Sequence, residues 1–179
     1  MRRLALIPML ALVAAAEQQA VPSQGSSVVV QLGTNFGITT SWARGTFAQT
    51  TKVDIYAEPV ASVWDSFKSA YGINSTYAQS ISIVAHTKQA ILAGVVVEIT
   101  LPASYVDAVP SGSLIALYRR NITAGPDGRL RVNFAHVDTG WDSTKRMATA
   151  TLPPQSWAIQ DIRGQSANIV IASWSPFPS

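Results

Sequence analysis

The sequence predicts an all-β protein, an antiparallel β-sandwich with one short helix, and three observations carry that reading. Short apolar stretches alternate with turn signals along the chain, several stretches place apolar side chains at every second residue, and no repeating helical pattern intervenes. Many short strands without interleaved helices imply sheet packed on sheet.

The elements follow in chain order. Residues 1–16, "MRRLALIPMLALVAAA", combine Arg2 and Arg3, an apolar run from Leu4 to Val13 and small residues ending at Ala16, the three parts of a secretory signal. The run is shorter than the roughly 20 residues a spanning helix needs, which favours cleavage after Ala16 over an uncleaved anchor. Residues 17–26, "EQQAVPSQGS", read as a polar leader, and residues 27–179 as one sandwich domain.

Within that domain "SVVVQL" at 27–32 is a strand. In "KVDIYA" Val53, Ile55 and Ala57 share one face, as expected of a half-buried strand. The same alternation marks "SISIVA" (Ile81, Ile83, Ala85), "VVVEITL" (Val95, Val97, Ile99, Leu101), "SLIALYR" (Leu114, Ala116, Tyr118) and "RLRVNF" (Leu130, Val132, Phe134). The helix is expected over 62–72, where Val63, Trp64, Phe67, Ala70 and Tyr71 fall on helical spacing and Ser62 with Asp65 forms a capping box. "NITAGPDGRL" joins two strands through Gly-Pro-Asp-Gly, a hairpin signal because Pro fixes φ and Gly accepts positive φ. In "VDTGWDSTKRMATATL" Gly140 and Asp142 to Thr144 make the next reversal, before a strand that leads to Ser156.

Composition narrows the function. The chain has 13 Lys and Arg against 10 Asp and Glu, and loss of Arg2 and Arg3 with the signal leaves 11 against 10, a net charge of +1. That balance lacks the dense basic stripe that neutralises a nucleic-acid backbone, so no nucleic-acid partner is expected. There is no cysteine, which excludes disulfides, thiolate metal sites and cysteine nucleophiles. Stability must then come from an ordinary core, which 47% hydrophobic residues are sufficient to fill. The triplets "NST" at Asn74 and "NIT" at Asn121 are glycosylation acceptors, expected on exposed loops if the source glycosylates.

Several short motifs resemble a known family. "WARGTFAQTTKVDIYAEP" at 42–59, "VVVEITLPASY" at 95–105, "SLIALYRR", "AHVDTGW" and "ATATLPPQSWAIQ" are similar, in that order, to the ZU-five domains of ankyrins and netrin receptors and to the related sandwiches in the GAIN domains of adhesion receptors. The resemblance spans residues 27–162 and implies a β-sandwich working as an interaction or structural module. Some members of these families carry His-Phe-Ser and cut their own chain before the serine. Here those positions read Pro154, Gln155 and Ser156, so the nucleophile is kept and the base is replaced by a side chain without a proton acceptor. Ser156 is therefore expected to start a strand whose Trp157 or Ile159 packs inward, with self-cleavage as the alternative.

Other constellations compete with plainer readings. His86 or His136 with Ser156 and Asp138 contains the residue types of a hydrolytic triad, but no "GxSxG" elbow is present. Asp127, Asp138 and Asp142 lie in turn-like stretches that match no calcium loop, and turn formation accounts for them; neither metal nor cofactor is expected. Trp42, Trp64, Trp141, Trp157 and Trp174 are scattered and read as core anchors rather than a sugar platform. Arg119, Arg120, Arg129 and Arg131 bracket the predicted hairpin, which would bring several of them to one side, either as a solvated face or as a dock for an anionic glycan or acidic protein. Sheet architecture alone also suits a virion coat or surface protein.

Overall fold

The computed structural model describes residues 17–32, 36–58, 77–161 and 164–174. The predicted signal, the helix expected over 62–72 with Trp64, and Asn74 lie outside these residues. The strands in order are β1 (Glu17–Val21), β2 (Ser26–Gln31), β3 (Gly37–Trp42), β4 (Thr51–Glu58), β5 (Tyr77–Ala85), β6 (Val95–Thr100), β7 (Leu114–Ala124), β8 (Leu130–Val137), β9 (Thr139–Asp142), β10 (Met147–Leu152), β11 (Ala158–Asp161) and β12 (Gly164–Trp174). One helical turn, α1 (Ala103–Val106), follows β6.

Two antiparallel sheets result. One runs β1-β4-β5-β12-β7-β8, with β11 also paired to β12, and the other runs β2-β3-β6-β10-β9. Their facing sides make the core, in which Val28, Val30, Ile38, Val97, Ile99 and Leu152 of the smaller sheet meet Val53, Ile55, Ile81, Ile83, Leu117, Ile169 and Ile171 of the larger. The period-two stretches in the sequence correspond to these strands, since alternate side chains enter the core and their neighbours leave it.

The strand at the centre of the larger sheet departs from that pattern. Every residue of β12 from Gly164 to Ser173 is buried, Ala167, Ile169 and Ile171 in the core and Asn168, Val170 and Ala172 on the opposite face. On that opposite face Asn168 Oδ1 accepts from Ser82 Oγ at 2.5 Å, and its Nδ2 donates to Ser166 Oγ at 3.4 Å. A strand buried on both faces carries no alternation, which is why "GQSANIVIASW" gives no strand signal by period.

Residues 17–21, read from sequence as leader, form β1 at the sheet edge, paired with β4 from Glu17↔Ile55 to Val21↔Thr51. Only Val21 of this polar stretch is an apolar core residue, so the sequence signal is slight. Strand β3, "GITTSW", is hidden by its polar residues. Its buried Thr40 is satisfied by Trp42, whose Nε1 donates to Thr40 Oγ1 at 2.9 Å.

The β7–β8 hairpin forms as its turn residues predict. Gly128 takes φ 73°, Gly125 N donates to Arg129 O at 2.7 Å, and Asp127 Oδ1 accepts from Arg129 N at 3.2 Å. The segment at Ser156 differs from expectation. Pro154–Ser156 is a single 3-10 turn closed by Ser156 N to Pro153 O at 2.8 Å and Trp157 N to Pro154 O at 3.2 Å, and the strand begins only at Ala158. Proline suits the first position of such a turn because its φ is already set and it has no N–H to satisfy. Trp157 turns inward at 8% exposure while Ile159 faces out at 69%.

Gly164 opens β12 at φ 135°, where an added Cβ would collide with the carbonyl oxygen of Ala85 and lie 2.8 Å from Thr87 N. Gly164→Ala should therefore cost about 2–5 kcal/mol, from backbone strain and overpacking together. Gly128→Ala, with positive φ but open space around it, should cost about 1–2 kcal/mol. Urea unfolding of the two variants checks the order.

Candidate functional site

Where β7 and β8 pass the end of β10, their core-side residues and the 3-10 turn enclose a cleft of about 360 Å³. Arg119, Ala135 and Val137 line it from the hairpin, and Thr151, Pro153 and Ser156 from the other side. The register puts Arg119 opposite Ala135 and Leu117 opposite Val137, so all four point to the side of the hairpin that faces the core.

Arg119 ties the two walls together. Its Nη1 donates to the carbonyl oxygen of Gln155 at 3.0 Å, and its Nε is enclosed without a hydrogen-bond partner. The ion pairs among the described residues join His86 to Asp54 at 2.6 Å, Arg131 to Asp127 at 3.6 Å and Lys145 to Asp142 at 3.7 Å. None reaches Arg119, so among the described residues its guanidinium has no counter-ion.

The cleft also gathers Ser156, His136 and Asp138, the residue types of the triad considered from sequence, but not in working order. The His136 imidazole packs edge-on against Tyr118, with ring centroids 5.6 Å apart, and its register partner is Tyr118. Its ring thus turns to the Tyr118 side of the hairpin, opposite the side chains of Arg119 and Ala135, although the residue still borders the cleft. His86 is engaged elsewhere, its Nε2 on Asp54 Oδ2. Pro154, two residues before Ser156, offers no proton acceptor to its hydroxyl. One part of such an apparatus is nevertheless in place: the carbonyl that Ser156 would attack, that of Gln155, already receives the Arg119 hydrogen bond, as an oxyanion donor would supply.

The arginines do not converge on one side. Arg119 and Arg120 are successive strand residues and face opposite ways, while Arg131, opposite Thr123, shares the Arg119 face about 13 Å further along at roughly 3.3 Å per residue. Arg131 is paired with Asp127, and Arg129 is exposed at the turn. Asn121 lies inside β7, opposite Asn133, rather than on a loop, because the hairpin continues past it to Ala124. The turn aspartates serve their own turns, Asp127 as above and Asp142 by accepting from Lys145 N at 3.0 Å. Among the described residues no group of three or more His, Asp or Glu converges on one point.

The tryptophans divide similarly. Trp42 stacks on Phe47 at 4.9 Å and meets Trp157 at 5.4 Å, and Trp141 packs on the same core. This cluster anchors the strand that follows Ser156. No sequence signal marks the Arg119–Gln155 contact, which joins residues 36 apart and exists only because β12 brings β7 and β11 to the same edge.

No protein-family model matches the chain, and no curated protein matches its sequence. Among the described residues no helix is long and apolar enough to cross a membrane.

The packing separates the two neighbours at this site. Trp157→Ala removes a buried indole from the aromatic cluster and should cost about 3–5 kcal/mol. Ser156→Ala leaves the Gln155 carbonyl and the turn hydrogen bonds in place and should cost under about 1 kcal/mol. Equilibrium urea denaturation reads both.

Proposed function

We propose that the chain is a secreted, non-catalytic β-sandwich of ZU-five or GAIN-like type, acting outside the cell as an interaction or structural module. The observation that carries this reading is the surroundings of Ser156. Its hydroxyl has a proline where a base would stand, His86 is hydrogen-bonded to Asp54, and the His136 ring packs edge-on against Tyr118. Without general-base help, which contributes about a hundred- to ten-thousandfold in rate, a serine hydroxyl is a poor nucleophile. The partner is a protein or an anionic glycan at the cell exterior, met by the exposed arginines of the hairpin, and Asn74 and Asn121 carry glycans where the host attaches them.

Intact-mass measurement on the secreted product tests the proposal in one step. The expected result is a single chain beginning at Glu17, with any glycans accounted for. Recovery of Met1 in a membrane fraction would overturn secretion. Fragments meeting between Gln155 and Ser156, absent from Ser156→Ala, would overturn the non-catalytic reading.

A second reading, self-cleavage, is favoured by one observation, the Arg119 hydrogen bond to the Gln155 carbonyl. If only the base is missing, Pro154→His with Gln155→Phe should produce partial cleavage before Ser156, and adding Arg119→Gln should slow it by about 10²–10³, the usual loss on removing one oxyanion donor. A denaturing gel followed over time distinguishes these outcomes.

A further inference from the structure

We propose that the cleft between the β7–β8 hairpin and the 3-10 turn binds a small carboxylate, with Arg119 as its anchor. Three observations point there. Among the described residues the guanidinium has no counter-ion, although Arg131 and Lys145 each have one from their own turns. Its orientation is fixed, because Nη1 is held by Gln155 O and Nε is enclosed, which leaves the terminal nitrogens as the part that meets a ligand. The rest of the lining suits a short organic acid, with Ala135, Val137 and Pro153 apolar and Ser156 polar.

Charge and size select the class. A planar carboxylate matches a guanidinium fork and balances one positive charge. A sulfate or phosphate dianion would leave negative charge uncompensated beside Asp138, which also lines the cleft. At about 360 Å³ the space is at the small end of ligand pockets, which run about 300–1,000 Å³, and does not admit a sugar chain. The carboxylate belongs either to a free short acid or to the C-terminal residue of a peptide, and both present the same chemistry to Arg119. This assignment rests on reading Ser156 as a ligand hydroxyl rather than a nucleophile.

The test is NMR titration of the full chain with hexanoate, with a tetrapeptide ending in a free carboxyl group, and with the same peptide amidated, reading the Arg119 Nε–Hε signal and the amides around the cleft. Saturable shifts with hexanoate or the free-carboxyl peptide, lost with the amidated one, are expected. Affinity should fall at least about tenfold in Arg119→Gln, as for loss of a charge-assisted hydrogen bond. Thr151→Glu, at an exposed position that should not disturb folding, should weaken binding by placing a like charge at the mouth, whereas Arg129→Gln with Arg131→Gln should leave it unchanged. Preference for hexanoate identifies a free acid as the source, and preference for the peptide identifies a chain terminus. No saturable shift, equal affinity in Arg119→Gln and Thr151→Glu, or a response to a sulfated glycan alone would overturn the proposal. Intact mass of the same samples reports separately whether Ser156 has cut the chain.

Discussion

Strand β12 sees water on neither face, so its backbone N–H and C=O groups must be met by neighbouring strands. One edge is covered by β5 alone, from Gln165↔Ala85 to Ser173↔Tyr77. The other edge is shared: β7 pairs from Trp174 back to Ile169, and β11 takes over at Ser166. The change of partner requires β7 to leave and β11 to enter within a few residues. Arg119 is the last residue of β7 in register with β12, and the 3-10 turn delivers the chain to β11 beside it. The Arg119–Gln155 hydrogen bond closes this junction, and the cleft is the space left by the two diverging paths.

This origin explains what the sequence disclosed. Half-buried strands such as β4 and β6 are legible because Val53 and Ile55, or Val95, Val97 and Ile99, alternate with residues that face away from the core. The hairpin turn is legible because Gly128 and Asp127 carry its geometry in their own chemistry. Strand β12 escapes the same reading because Asn168 and Ser166 satisfy each other on a buried outer face, and buried polar residues look like loop residues in a one-dimensional pattern. The candidate site is less legible still. Ser156 and Arg119 each stood out singly, but their meeting depends on the shared edge of β12, a relation between distant segments. The four arginines looked like one cluster because adjacency in sequence hides the alternation of strand side chains.

Electrostatically the junction is unusual for this molecule. Two of the three ion pairs among the described residues, Arg131–Asp127 and Lys145–Asp142, join exposed side chains three or four positions apart, where such contacts contribute little, about 0–1 kcal/mol. Arg119 is held instead by a neutral carbonyl, which fixes its direction without cancelling its charge. Stability is left to the core. With no cysteine to cross-link the chain, the aromatic packing of Trp42, Phe47 and Trp157 secures the end of the sandwich from which the cleft opens.

Beyond Arg119, residues 120–124 of β7 pair only with β8 among the described strands, and the cross-strand pair Ile122 and Val132 is left 51% and 37% exposed. The distal hairpin is thus modular. Residues can be added or removed at its tip in matched pairs without shifting which side chains face the core, because side-chain direction repeats every two residues. Lineages carrying this fold can diversify the length and sequence of the arm while the sheet and the junction at Arg119 stay fixed, as loop tips with few packing obligations generally allow.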